Sequence, residues 1–270
     1  MDKKEGQGRP SDVWQSGPAL ERYVGRWSRL VGREFLRWLE VRPGSRWVDI
    51  GCGTGALTET ILQTAEPSQV TGVDRSEGYI AFVREQVRDE RAQFKVGDAQ
   101  QLPLETATCE AAVSGLLLNF VPQPTEAMAE MVRVVRPGGT VAAYVWDYAG
   151  KMQFMRHFWD AAVALDPEAA PLDEGPRFPL CQPEPLRQLF QNGGLEHVEV
   201  RGIEIPTVFK DFDDYWLPFL GGQGPAPSYA MSLSADRRNA LREHIRASLP
   251  FAPDSSIPLV ARAWAARGVR

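Results

Sequence analysis

Between residues 45 and 147, short apolar runs alternate with stretches whose apolar residues recur every three or four positions. "RWVDIG" (46–51), "QVTGVD" (69–74), "AQFKVGD" (92–98), "EAAVSGLLL" (110–118) and "TVAAYVWD" (140–147) have the length and β-branched content of buried strands. The intervening segments Ala56–Thr64, Ser76–Arg88 and Thr125–Val135 carry helical spacing. Tyr79, Phe82, Val83 and Val87 share one face of the second of these, and Met128, Met131, Val132 and Val135 form a stripe on the third, which "RPGG" (136–139) closes. Ahead of the first strand, Val31, Phe35, Trp38 and Leu39 predict a helix within Leu20–Glu40, stopped by "RPGS" (42–45). A strand–helix series with such short connections requires a parallel sheet with helices on both faces. Ligands of such sheets sit beyond the carboxyl ends of the strands.

The regularity breaks after Asp147. "MQFMRHFWDAAVAL" (152–165) reads as a helix followed by a proline-rich loop, an insertion at about 148–182 lying over the strand ends. Helix Pro185–Gln191, closed by Gly193 and Gly194, and strand "HVEVRGIEI" (197–205) resume the core. A second irregular block at about 210–256 holds a helix over Ala235–Leu249 with Leu241, Ile245 and Leu249 on one side, and "IPLVARAWAARG" (257–268) is a final strand. Residues 1–18 lack periodicity and read as a disordered or loosely held arm. The expected plan is an arm and helix over 1–44, a possible cofactor lid, then one domain over 45–270 carrying both insertions.

Composition narrows the partners. The chain has 270 residues, 43% hydrophobic and 24% charged, enough for one substantial core. A formal net charge of -5 argues against nucleic acid or anionic lipid as partner and towards a small molecule or a protein. Cys52, Cys109 and Cys181 are widely separated and suggest neither a disulfide framework nor a metal site. The polar start "MDKKEGQGRPSD" lacks a signal-like apolar segment, and no apolar run approaches the roughly 18 residues of a membrane span. A cytoplasmic protein that neither spans nor binds a membrane is expected.

Chemistry concentrates in "VDIGCGTG" (48–55). A glycine-rich turn before a helix exposes unpaired N–H groups at the positive end of the helix dipole. Gly51-x-Gly53-x-x-Ala56 satisfies the dinucleotide pattern, with Asp74 where a ribose-binding acid belongs, so a nicotinamide-dependent oxidoreductase is one reading. Asp49 separates the readings. A carboxylate buried in a strand costs several kcal/mol unless it is paired; a pyrophosphate beside it raises that cost, whereas a cationic ligand lowers it. Asp98, ending the third strand in "GDA", adds a second acid beside Asp74 that suits an adenosine lying along the strand ends.

With these residues in order, the chain resembles the class I S-adenosylmethionine-dependent methyltransferases of the small-molecule type. "VDIGCGTG" matches that family's first motif, "VDRS" (73–76) its acidic second-strand end, "GDA" (97–99) its third, and "RVVRPGGTVAAY" (133–144) the turn before its fifth strand. The resemblance implies an α/β fold, a Rossmann-like doubly wound seven-stranded sheet that is mostly parallel with an antiparallel last strand in "IPLVARAWA". It implies S-adenosyl-L-methionine as cofactor and S-adenosyl-L-homocysteine as product. Gly51 and Gly53 would admit the cofactor's amino-acid part, Asp74 would take the ribose hydroxyls, and Asp98 with the Ala99 backbone would read adenine. Asp49, Cys52, Arg75 and Ser114 belong to the same expected site, and Tyr23 or Arg26 is expected to bind the methionine carboxylate.

Asn119, Trp146, Tyr148, Phe158 and Trp216 are expected to wall a pocket for a small apolar or aromatic methyl acceptor, and His157 and Asp147 are the general-base candidates. "LNFV" stands where nucleobase N-methyltransferases carry an N-P-P-Y-type tetrapeptide, and no acid cluster suggests a metal. A non-catalytic S-adenosylmethionine-binding partner or sensor is the alternative.

Overall fold

A computed structural model describes residues 25–222 and 224–270. In chain order the elements are α1 (Arg26–Leu39), β1 (Arg46–Ile50), α2 (Ala56–Thr64), β2 (Gln69–Asp74), α3 (Glu77–Gln86), β3 (Ala92–Val96), β4 (Cys109–Gly115), α4 (Pro124–Val134), β5 (Val135–Trp146), α5 (Gln153–Leu165), α6 (Glu174–Arg177), α7 (Pro183–Asn192), β6 (Glu196–Phe209), α8 (Phe212–Trp216), α9 (Pro225–Ser232), α10 (Ala235–Ser248) and β7 (Ile257–Val269). The strands form one sheet of seven in the order β3-β2-β1-β4-β5-β7-β6. Strands β1 to β5 pair in parallel, and β7 runs antiparallel between β5 and β6. This is the Rossmann-like sheet of the class I methyltransferases, with its reversed strand inside the sheet.

Burial follows position in the sheet. Val48, Asp49 and Ile50 of central β1 are all buried, because helices cover both faces, whereas edge strand β6 alternates buried and exposed residues over its second half. The stripe Trp27, Val31, Phe35 and Leu39 seats α1 on the sheet, with the Phe35 ring edge-on to Tyr144 at 4.9 Å. Ser76 caps α3 by accepting the Tyr79 N–H at 3.3 Å.

Two boundaries differ from the pattern. Strand β4 stops at Gly115 and does not run on to Leu118: Leu116 adopts a left-handed φ of 61° and Leu118–Phe120 forms a 3-10 turn. Strand β5 begins at Val135, ahead of the Pro-Gly-Gly turn, because the chain end pairs there, with the Gly138 N–H on the Arg270 carbonyl at 2.8 Å and the Arg270 N–H on that of Gly139 at 3.0 Å.

The two irregular blocks pack on each other. Phe158 stacks on Phe219 at 4.4 Å, Phe154 meets Tyr215 at 5.2 Å, and the Tyr215 hydroxyl donates to the Phe154 carbonyl at 2.8 Å. Phe158 and Trp216, expected in an acceptor pocket, lie instead in this shared aromatic core, which is where two amphipathic insertions bury their apolar faces. Among the described residues no helix is long and apolar enough to cross a membrane.

Candidate active site

The site starts from the turn after β1. Gly51, Gly53 and Gly55 have φ of 74°, 52° and 92°, left-handed values that an L side chain rarely adopts. The turn is held to the end of β2: the Gly51 and Cys52 N–H groups donate to the Val73 carbonyl at 2.7 and 3.1 Å. Asp74 completes the brace, accepting the Gly53 N–H at 3.0 Å and the Ser76 N–H at 2.9 Å. Burial pushes the Asp74 carboxyl up, opposed by those N–H bonds.

Asp49 lies beneath the turn, 1% exposed. Thr58, one turn into α2, donates to one carboxylate oxygen at 2.6 Å, and the other has no hydrogen-bond partner among the described residues. Burial pushes its pKa up to about 7 against the Thr58 bond, with Asp74 adding to the rise. A half-paired buried carboxylate is costly in the free protein, and a cation beside it removes that cost.

Asp49, Gly51, Cys52 and Gly53 share the wall of one cavity with Asp74, Arg75, Asp98 and Ala99. Asp98 is on the exposed rim, its Oδ1 accepting the Gln100 N–H at 2.8 Å. The cavity continues past the carboxyl ends of β4 and β5, where Leu116, Leu117, Phe120 and Val121 face Trp146, Tyr148, Met152 and Met155. Gly25 and Ser28 bring the start of α1 to it.

Other expected site residues stand elsewhere. Arg26 is not on the wall; its guanidinium stacks over Trp27 and Phe209 and pairs with Asp214 at 2.9 Å, so it ties α1 to the second insertion. Tyr23 lies outside the described residues. The Ser114 hydroxyl donates to the Ile50 carbonyl at 2.9 Å, joining β4 to β1 beneath the cavity floor. Asn119 is off the wall, because the left-handed Leu116 turns the chain so that Leu116, Leu117 and Phe120 line the cavity.

Neither base candidate reaches the cavity. Asp147 is 2% exposed; it accepts the Gly150 and Lys151 N–H groups at 3.1 and 2.8 Å and pairs with Arg262 at 2.6 Å, so both oxygens are committed to the β5 exit. His157 borders a separate depression with Arg156 and Asp160, and burial pulls its pKa down. On α5 the cavity takes Met155 and the preceding Met152, and His157, two residues past Met155, falls on another face.

The pattern missed several wall residues. Tyr144 alternates with Trp146 along β5, so the strand period carried its signal. Leu116 and Leu117 were read as strand, and nothing in the proline-rich loop singles out Glu174, which is 1% exposed on the wall. Among the described residues no group of three or more His, Cys, Asp or Glu is placed to hold a metal.

Residues 48–143 match the family model described as a methyltransferase domain. The matched span runs from Val48 in β1 to Ala143 in β5 and contains the turn, Asp74 and Asp98. This chain carries a class I methyltransferase domain. It is 35% identical over 113 residues to a demethylmenaquinone methyltransferase of Bacillus cytotoxicus, covering 40% of this chain and 48% of that protein. A demethylmenaquinone methyltransferase of Staphylococcus aureus is 28% identical over 181 residues, covering 63% of this chain and 75% of that protein. The phosphoethanolamine N-methyltransferase 2 of Haemonchus contortus, solved with phosphomonomethylethanolamine and S-adenosylhomocysteine, shares the fold at a TM-score of 0.58 and 17% identity, over 94% of this chain and 57% of that one. The chain thus matches about half the length of the first of these relatives.

The donor set of the domain fits S-adenosylmethionine. Asp49 has a buried oxygen with no partner among the described residues, which a cationic amino group would satisfy, and Asp74 and Asp98 offer acceptor oxygens to hydroxyl and amine donors. A pyrophosphate over Asp49 would be repelled.

Proposed function

We propose that this chain transfers a methyl group from S-adenosylmethionine to a small acceptor with an apolar or aromatic body. The half-paired carboxylate of Asp49 under the glycine turn carries this reading, since it calls for a cation where a dinucleotide would bring negative charge. Asp49 and the turn would hold the amino-acid part, Asp74 the ribose hydroxyls and Asp98 the adenine amine. When bound, the cofactor supplies an electrophilic methyl group on a sulfonium. The protein's share is then to hold the acceptor in line and keep water out, which lowers the barrier without a nucleophile on the enzyme. Leu116, Leu117, Phe120, Val121, Met152 and Met155 offer a water-excluding wall for that purpose. The relatives named for demethylmenaquinone support a small-molecule acceptor.

Calorimetric titration tests the reading. Saturable binding of S-adenosylmethionine and S-adenosylhomocysteine, with no heat from NADH, is the expected result. Absence of binding by both adenosylated ligands overturns it.

A further inference from the structure

The amino-acid end of the proposed cofactor is a zwitterion, and the cavity treats its two charges differently. Asp49 answers the ammonium. The carboxylate, carried on the same carbon, is repelled by Asp49 and Asp74 and needs donors. The glycine turn has few to give: the Gly51 and Cys52 N–H groups go to the Val73 carbonyl, that of Gly53 to Asp74 and that of Gly55 to the Cys52 carbonyl. Among the described residues the one cation on the wall is Arg75, beside Asp74 at the end of β2, while Arg26, off the wall, pairs with Asp214.

Tyr144 stands where a donor is wanted. Asp49 of β1 is level with Val113 of β4, and Val113 with Ala142 of β5, so Tyr144, two residues beyond Ala142, leaves the sheet on the face that carries Asp49. Helices α1 and α2 cover that face, with Phe35 against the Tyr144 ring at 4.9 Å and Thr58 on Asp49. Strand β4 lies between β1 and β5, and the phenol crosses it at Gly115, where a Cβ would come within 2.6 Å of the hydroxyl oxygen. The missing side chain of Gly115 thus lets the hydroxyl reach from β5 towards β1. Tyr144 is 2% exposed on the cavity wall, and its hydroxyl has no hydrogen-bond partner among the described residues. Burial, with Asp49 adding to it, pushes the phenol up, so the hydroxyl keeps its proton and can donate. A buried hydroxyl without a partner is costly, and a bound acceptor removes that cost.

We propose that the Tyr144 hydroxyl donates a hydrogen bond to the carboxylate of the cofactor's amino-acid part. This rests on the methyltransferase reading above, and it places on β5 a contact that the sequence pattern assigned to Tyr23 or Arg26. A neutral donor suits the place. A fixed cation there would pair with Asp49 in the free protein and compete with the ligand's ammonium, whereas a phenol leaves the Asp49 charge to the ligand.

S-adenosylmethionine and its decarboxylated analogue, which keeps the ammonium, the sulfonium and the adenosine, are titrated calorimetrically into the wild type and Tyr144→Phe. The variant should bind S-adenosylmethionine about tenfold more weakly, the size of one bond to a charged group, and the decarboxylated compound within about threefold of the wild type. If Tyr144→Phe does not fold, Gly115→Ala, whose methyl group displaces the hydroxyl, should show the same selective loss. If the wild type binds the decarboxylated compound too weakly to measure, methylthioadenosine, which lacks the amino-acid part, takes its place. A loss of similar size for both ligands, or for neither, overturns the inference. Those results leave S-adenosylmethionine binding by the wild type intact, whereas its absence strikes the methyltransferase reading itself.

Discussion

At the scale of single residues, the acids at the strand ends carry the account. Asp74 both braces the glycine turn and lines the cavity, and with the ribose role proposed for it Asp74→Ala should weaken S-adenosylmethionine binding by about 1.5 to 3 kcal/mol in calorimetry. Asp49 makes a prediction in pH. Its carboxyl, pushed up to about 7 by burial, stands above the unfolded value of roughly 3.9, so between those values the folded state holds the extra proton. Its contribution to stability is therefore complete below the unfolded value and is lost as pH rises through the folded one. The thermal midpoint of the ligand-free protein should fall from about pH 5 to about pH 8 relative to that of Asp49→Asn, which lacks this titration. His157, whose pKa burial lowers, acts in the opposite sense and is common to both proteins. A cationic ligand amino group favours the ionised carboxylate, so S-adenosylmethionine affinity should rise with pH through the same range in the wild type and stay flatter in Asp49→Asn.

At the scale of elements, the structure separates positions that pattern alone merged. The glycine turn, β1, β2 and the α2 start were legible because left-handed glycines and strand-end acids are local in the chain. Which face of α5 meets the cavity was not, since His157 and Met155 both belong to one amphipathic stretch and only packing against the second insertion decides between them. The exit of β4 was illegible for another reason: Leu116 adopts a left-handed φ despite its side chain, and three successive leucines read as strand. Strands β4 and β5 also approach closely through Gly115 and Tyr144. Gly115→Ala would force a methyl group onto the phenol and should cost about 1 to 3 kcal/mol in urea unfolding. Helix α1 offers a test of its own. The Arg26–Asp214 pair is part-exposed at 35% and 21%, so Arg26→Met should cost no more than about 1 kcal/mol of stability and leave S-adenosylmethionine affinity within about threefold. A large loss of cofactor affinity would return Arg26 to the methionine carboxylate.

At the scale of the whole molecule, a seven-stranded sheet presents its strand ends to one cavity, and two insertions with a joint aromatic core stand beside it. The sheet was legible because parallel strands buried on both faces write themselves as short apolar runs. The joint core was not, because Phe154 and Phe158 are far in sequence from Tyr215 and Phe219, and no local period records such a contact. That division explains why the wall around the glycine turn could be read from motifs while Glu174, delivered by the first insertion, could not. Thermal unfolding with and without saturating S-adenosylmethionine, S-adenosylhomocysteine, NADH and NADPH tests the central claim most directly, since a ligand that binds the native state raises the midpoint by mass action. The account predicts an upward shift with the two adenosylated ligands alone. A shift with the dinucleotides instead would contradict it.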